Sequence, residues 1–229
     1  MEAPEPDRPA PPPLVARGIC VRQGRRTLLP ATDLTVAPGQ VVEVVGPPGP
    51  AHAALALALA GRLALDAGTV TLGGDPSAAR LQAAVALVDV PGVNDLDDLV
   101  PWHVVLSEEL AMAGQRSSRS AVAAWLGQRG EDHLLDVITE DVPGADRGEA
   151  LLSTAALRPG TAFLVWVRPE RHGLSADQAL ALAQRFADRG LGVVVTGSRA
   201  AAAGETARIG TTEAAPSDAD DETGEQDPQ

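Results

Sequence analysis

The residues whose types and spacing suggest chemistry lie in Val41-Val42-Glu43-Val44-Val45-Gly46-Pro47-Pro48-Gly49-Pro50-Ala51-His52-Ala53-Ala54. This stretch runs on through Leu55 into an Ala/Leu segment ending at Gly61. A short β-branched run, a Gly/Pro turn and an Ala/Leu helix form a layout that holds phosphate, because backbone N–H groups at a helix start face the anion. The working pattern is G-x-x-x-x-G-K-[ST], with lysine on the outer phosphates and the hydroxyl on Mg²⁺. Here Gly46 opens the pattern and Gly49 lies inside it. Ala51 takes the second glycine's place, His52 the lysine's and Ala53 the hydroxyl's, with Ala54 following. The frame is kept and its charged parts are gone.

Pro47, Pro48 and Pro50 carry no N–H, so the loop also has fewer donors. A helix terminus contributes ~0.3–1 kcal/mol, or ~2 when partly buried, whereas a millimolar complex needs about 4 kcal/mol. Tight phosphate binding is not expected from these groups, and weak binding stays open. His52 reads either as a partial positive charge or as a surface histidine at a helix start, the second being the simpler.

The elements that must position this loop follow from periodicity. Leu14 to Val21 alternates as a strand, Gln23-Gly24-Arg25-Arg26 turns, and short strands are predicted at Thr27-Leu-Leu and Leu34-Thr-Val36. Pro38-Gly39 precedes a buried strand at 41–45, and a helix spans about 51–63. Gly68 to Gly74 gives a strand and a turn, Ala79 to Gln82 a helical turn, and Ala84 to Val90 a strand ended by Pro91-Gly92. From about 100 to 139 the pattern is helical, at Trp102 to Met112, Ser118 to Leu126 and His133 to Ile138. A helix follows near 148–157, then a buried strand at Thr161 to Val167. Ser175-Ala-Asp-Gln178 reads as a capping box opening a helix to about 188, and Gly190 to Thr196 as a third buried strand. Strands alternating with helices predict a mainly parallel sheet covered on both faces, with an all-helical insert at roughly 92–150 forming a separate lobe.

Composition narrows the classes. The 229 residues suit one domain of α/β size, or one domain with a subdomain. Hydrophobic content is 45% but aromatics only 2%, so the core must be Val, Leu and Ala. A formal net charge of −13 argues against a nucleic-acid groove or an anionic membrane surface. All 18 basic residues are arginine, so no displaced lysine serves the loop at 46–54. Single Cys20 rules out an intramolecular disulfide. No apolar run reaches the ~18–20 residues of a membrane span, and Met1-Glu-Ala-Pro-Glu-Pro-Asp-Arg8 does not read as a signal peptide. Residues 1–13 read as a disordered proline-rich leader and 205–229 as a disordered acidic tail for which no binding role need be assumed.

The order of features resembles the ATP-binding cassette, the nucleotide-binding domain of ABC transporters, over about residues 14–198. The resemblance rests on Leu14-Val-Ala-Arg-Gly-Ile19, Pro38-Gly39-Gln-Val-Val42 before the loop, and Asp66-Ala-Gly-Thr-Val-Thr-Leu-Gly-Gly74 after its helix. It continues through Ala155-Ala-Leu157, Arg158-Pro159, Phe163 to Val167, Pro169, Gly173-Leu174 and Val193-Val-Val-Thr196. It implies a P-loop NTPase-like three-layer sandwich over 14–204, with a mainly parallel central sheet, an N-terminal antiparallel β portion and a helical subdomain.

The family's functional positions differ here one by one. Where an aromatic stacks the adenine stand Cys20, Val21, Arg22 and Gln23. The glutamine that senses the γ-phosphate falls on Val90, or on Asp89. The signature L-S-G-G-Q falls on Pro143-Gly144-Ala145-Asp146-Arg147, which puts Asp146 where phosphates approach. The strand that should end in Asp-Glu, for Mg²⁺ and the attacking water, ends in Val167-Arg168 or, shifted by one, Trp166-Val167. Gly197 replaces the switch histidine, and Ser175 the aspartate after Gly173-Leu174. Phosphoryl transfer is mostly positioning and charge stabilisation, so the resemblance implies a cassette without ATP hydrolysis. It also implies no bound nucleotide or weakly held ATP or ADP, and no Mg²⁺.

The partners implied are a transmembrane transporter subunit, met by about 90–115, and a second cassette chain. Nucleic acid and direct membrane insertion are not implied; the place implied is cytoplasmic, peripheral on the inner face of the membrane. The alternatives are an active ATPase with non-standard residues and a soluble nucleotide-independent adaptor. Glu170 and His172 read as a solvated loop, and Asp95, Asp97 and Asp98 as a charged turn rather than a metal site. Trp102 and Trp125 read as packing within the helical insert rather than a docking face, although Trp102, beside a proline near the insert's start, suits either role.

Overall fold

The computed structural model describes residues 11–198 and 206–210. Residues 1–10 of the expected leader and 211–229 of the expected tail lie outside the described residues. The fold opens with a hairpin of β1 (Leu14–Gln23) and β2 (Arg26–Val36), turning at Gly24 with φ 59°, a conformation glycine adopts without a Cβ clash. Two short strands were predicted over 27–36, but β2 is continuous. Pro30 sits where the register steps from Leu29 to Thr32, on the edge strand of the sheet, and an edge tolerates a residue with no N–H to give.

β3 (Val41–Val45) leads through the glycine–proline loop into α1 (Ala51–Leu59), and β4 (Ala67–Leu72) returns to complete an antiparallel sheet ordered β2-β1-β4. α2 (Ala78–Ala84) then feeds β5 (Val85–Val88). The helical insert holds α3 (Trp102–Met112), α4 (Arg119–Gly127) and two single 3₁₀ turns. α5 (Gly144–Ala156) follows, starting four residues before the helix expected from 148. Pro143 stands at its N-cap and Gly144 opens it, positions where proline and glycine are both tolerated.

β6 (Phe163–Val167), α6 (Ala176–Ala187) and β7 (Gly192–Gly197) close the α/β unit. The capping box is formed: the Gln178 N–H donates to Ser175 Oγ at 3.2 Å and the Ser175 N–H to Gln178 Oε1 at 2.9 Å. The second sheet is parallel throughout, ordered β5-β6-β7-β3-β8, and it sets residues 41–45, 163–167 and 192–196 side by side. Its last member, β8 (Thr206–Arg208), corrects the expectation of a tail disordered from 205. Three residues are too few for alternation to show; pairing with β3 alone makes them a strand.

Val, Leu and Ala supply most of two cores, one on each face of the parallel sheet, but the few aromatics are not spared: Trp102, Trp166, Phe163 and Phe186 are the largest buried side chains. One core lies between the parallel sheet, α1 and the antiparallel sheet; the other packs α5 and α6 against its opposite face. The insert expected as a separate lobe shares that second core. Trp102, Leu106, Val122 and Leu126 belong to the same buried cluster as Leu164 and Trp166 of β6.

Candidate functional site

In an open parallel sheet, ligands bind beyond the carboxyl ends of the strands, so those ends define the site. At the end of β3 the Gly46 N–H donates to the Gly197 carbonyl at 3.1 Å, joining the loop to β7. Ile209, just past β8, covers Gly46. It donates its N–H to the Val45 carbonyl at 2.9 Å, and a Cβ on Gly46 would stand 2.7 Å from its Cδ1. Glycine is needed here for that close approach.

α1 has no side-chain cap, and its first internal bond runs from the Ala54 N–H to the Pro50 carbonyl at 3.0 Å. The N–H groups of Ala51, His52 and Ala53 therefore have no partner within the helix. His52 is not the surface histidine expected: it is buried, with Nε2 3.1 Å from the Pro47 carbonyl. Its Nδ1 is buried and has no hydrogen-bond partner among the described residues. Burial is the main force pushing its pKa below the ordinary 6.5, and the charge of Arg168 adds to it against the raising effect of the loop carbonyls. The imidazole is neutral at pH 7 and folds back on its own loop.

The ends of β5 and β6 carry the charge. Asp89 and Arg168 are the only non-glycine residues with positive φ among the described residues, at 51° and 53°. Sparsely populated backbone at such a rim is a marker of a constrained site. Arg168 donates its N–H to the Thr196 carbonyl at 2.9 Å, and its Nε lies 3.1 Å from Glu170 Oε1. The same Glu170 oxygen accepts from the Ser198 N–H and hydroxyl, both at 3.2 Å. Asp89 is buried, with Oδ2 2.7 Å from His172 Nε2 and 3.2 Å from Arg171, which also donates to the Asp89 carbonyl at 2.8 Å. Burial alone would raise the Asp89 pKa. His172 and Arg171 outweigh it, and the carboxyl is held below its ordinary value.

Residues 169–172 thus form a 3₁₀ turn fixed by ion pairs, not the solvated loop expected of Glu170 and His172. No spacing rule joins Asp89 to residues 82 or 83 positions later, so sequence reasoning missed the pair; only the neighbouring of β5 and β6 brings them together. The first turn of α5 abuts this turn: a Cβ on Gly144 would lie 2.5 Å from the Leu174 side chain. Arg147, one turn on, is buried, with NH1 2.7 Å from Asp98 and 3.3 Å from the Thr139 carbonyl. Asp95 accepts from the Gly92 N–H and Asp97 from the Leu99 N–H. These aspartates therefore serve turns and an ion pair, as the charged-turn reading has it. Trp102 is buried, and Trp125 carries the Arg129 guanidinium on its ring at 3.4 Å.

A cleft of about 370 Å³ opens beside the ends of β6 and β7, lined among others by Glu170, Leu174, Ser175, Thr196 and Ser198. None of Gly46, Gly49, Ala51, His52, Ala53 or Ala54 lines it. The six candidate residues stay together around one loop, while Asp89, Arg168, Glu170, Arg171 and His172 form a second cluster across the strand ends.

A phosphate-type loop after a central parallel strand, an antiparallel flank and a helical insert before the next strand define the class as a cassette ATPase fold. No protein-family model matches the chain. The hemin import ATP-binding protein HmuV of Pseudomonas fluorescens (strain Pf0-1) is 30% identical over 207 residues, covering 80% of this chain and 75% of that protein. The zinc import ATP-binding protein ZnuC of Magnetococcus marinus is 26% identical over 145 residues, covering 63% of this chain and 51% of that one. Among solved structures, a putative ABC transporter ATP-binding protein from Pyrococcus furiosus matches with a TM-score of 0.63 at 14% identity, over 86% of this chain and 97% of that one. A nucleotide-free ATP-binding cassette of an ABC transporter gives 0.58 at 16% identity, over 81% of each chain. At those identities the structures speak for the fold alone. The chain belongs to the ATP-binding-cassette family, the ATP-binding subunits of ABC transporters.

Proposed function

We propose that this chain is the cassette subunit of an import system, docked on a transmembrane partner, with hydrolysis lost and nucleotide held weakly or not at all. The observation that carries the reading is the pair of groups at the strand ends. Neutral His52 is tied to the Pro47 carbonyl where a lysine would meet phosphate. Arg168 stands at the end of β6, where the resemblance calls for carboxylates on Mg²⁺ and water. A guanidinium there repels a divalent cation and accepts no proton from water. The residues present therefore do not fit Mg·ATP, and no hydrolytic step is derived through it. Three N–H groups at the start of α1, without a partner inside the helix, remain for an anion, which supports weak binding only.

The import direction is supported by the relatives' own names, hemin import and zinc import. Docking on a membrane partner is supported by Val93, Leu99 and Met112, which expose 47%, 78% and 54% of their surfaces around the insert. No helix among the described residues is long and apolar enough to cross a membrane, so the reading has the chain peripheral on its partner, with a second cassette chain beside it. The competing reading, an active ATPase, draws on the 30% identity to an ATP-binding protein.

Two measurements separate them. Steady-state ATP turnover above background, abolished by His52→Ala, would make the chain an ATPase and end the proposal. Co-purification with a membrane protein that survives nucleotide removal, with no turnover in the complex, is the outcome expected.

A further inference from the structure

The helical insert carries a groove of its own, between α3, α4 and the end of α5. It holds about 550 Å³, inside the range of small-molecule sites. Leu110, Ala124, Trp125 and Leu157 give it an apolar bed, and Arg116, Ser118 and Ser120 stand at its rim. α5 runs 13 residues from the charged turn at the strand ends toward Leu157, about 20 Å along its axis, so the groove is far from those strand ends.

Trp125 sets the shape of what fits. Trp102 and Trp166 are buried, at 0% and 2% exposure, whereas Trp125 is only partly covered. The Arg129 guanidinium lies over its ring at 3.4 Å and donates to the Trp125 carbonyl at 3.0 Å. With a cation on one face, the indole keeps its edge and its other face for a planar ring. Leu157, still 42% exposed, offers further apolar surface beside it.

The rim sets the charge. No carboxylate among the described residues lines the groove, on a chain of net charge −13. Glu109 of α3 is buried and paired with Arg158 at 2.9 Å, and Arg119 at the start of α4 takes Asp136. Arg116, in contrast, meets no carboxylate among the described residues. Ser118 Oγ accepts the Ala121 N–H at 3.3 Å and shares one hydrogen bond with Ser120 Oγ at 3.0 Å, so one of the two hydroxyl protons is left to donate. An acid group at this rim meets a guanidinium and a hydroxyl without displacing an ion pair.

We propose that this groove binds a planar aromatic carboxylate, its ring against Trp125 and Leu157 and its acid group on Arg116 and the serine pair. The site stands whether or not the loop at 46–54 takes a phosphate.

The probe is 2-naphthoate, added to the full chain and followed by proton–nitrogen NMR. The Trp125 indole N–H and the backbone amides of Ala121 and Ala124 should shift together, with a Kd near about 1 mM. The amine of the same ring, 2-(aminomethyl)naphthalene, should bind at least about tenfold more weakly, a comparison that needs only the native chain. Arg116→Gln, at an exposed position, should weaken the carboxylate at least about fivefold and leave the amine unchanged. Equal binding of acid and amine, an Arg116→Gln chain that binds like the native one, shifts confined to residues outside the groove, or no shift at about 10 mM naphthoate would each overturn the assignment.

Discussion

The carboxyl end of β3 and those of β5 and β6 sit on one sheet with β7 between them, yet they are built on opposite chemistry. Around β3 the loop is glycine, proline and alanine with one neutral histidine closed on its own carbonyl. Around β5 and β6, Asp89, Arg168, Glu170, Arg171 and His172 are drawn into ion pairs with one another. The difference teaches that charge was not removed from this rim; it is turned inward. A cationic or anionic group already paired inside the protein has little left to offer a ligand, because a new partner must first displace the old one. Such pairs hold the rim together instead, linking the end of β5 to the turn after β6, with α5 abutting the same turn.

If that contrast is right, the sharpest break comes from Asp89→Asn. The change keeps shape and a left-handed backbone that asparagine accepts, and it leaves Arg171 and His172 facing a neutral amide. It should cost about 3 kcal/mol in urea unfolding. The variant should also lose an acid-sensitive component. The Asp89 pKa is depressed in the fold, so its contribution is present above the ordinary 3.8 and disappears as pH falls through the folded value. A cost below about 0.5 kcal/mol would mean that the cluster is a surface network and the contrast is lost.

Gly46→Ala probes the other region by size rather than charge. Its Cβ would meet Ile209, so β8 must shift, at about 1–3 kcal/mol. Hydrogen exchange at Ile209 should quicken well before exchange in β6 does. Equal effects on both strands would show that β8 is not a separable edge.

The smallest effect is the most specific. His52 is held neutral by burial, so the unfolded chain takes up the proton first as pH falls. Its stabilising contribution is full above the ordinary 6.5 and fades below it. His52→Gln, which titrates nothing, should flatten the stability profile between about pH 6.5 and 5. A profile that keeps its slope there in the variant would show that burial of His52 does not set it.

Much of the architecture was readable in advance because it rests on local pattern. Buried Val/Leu runs bounded by glycine and proline marked 41–45, 163–167 and 192–196 as neighbouring strands, and Ser175 with Gln178 announced the start of α6. The loop at 46–54 was equally legible, since its spacing is contiguous. What escaped were relations across distance. β8 carries too few residues for a pattern, Pro30 hid the continuity of β2, and the burial of His52 depends on how its side chain folds back on the loop. Glu170 and His172 looked like solvated charges because their partners, Ser198 and Asp89, are far away in the chain.

Sequence alone therefore determined the order of elements, the family resemblance and which side chains stand at each functional position, since these are matters of period, turn chemistry and spacing. Tertiary structure alone decided the charge state of His52 and the pairing of Asp89, and it alone recruited residues 206–209 to the sheet. The physical reason is that desolvation and ion pairing depend on what stands within a few ångströms in space, and the folding of the sheet chooses those neighbours.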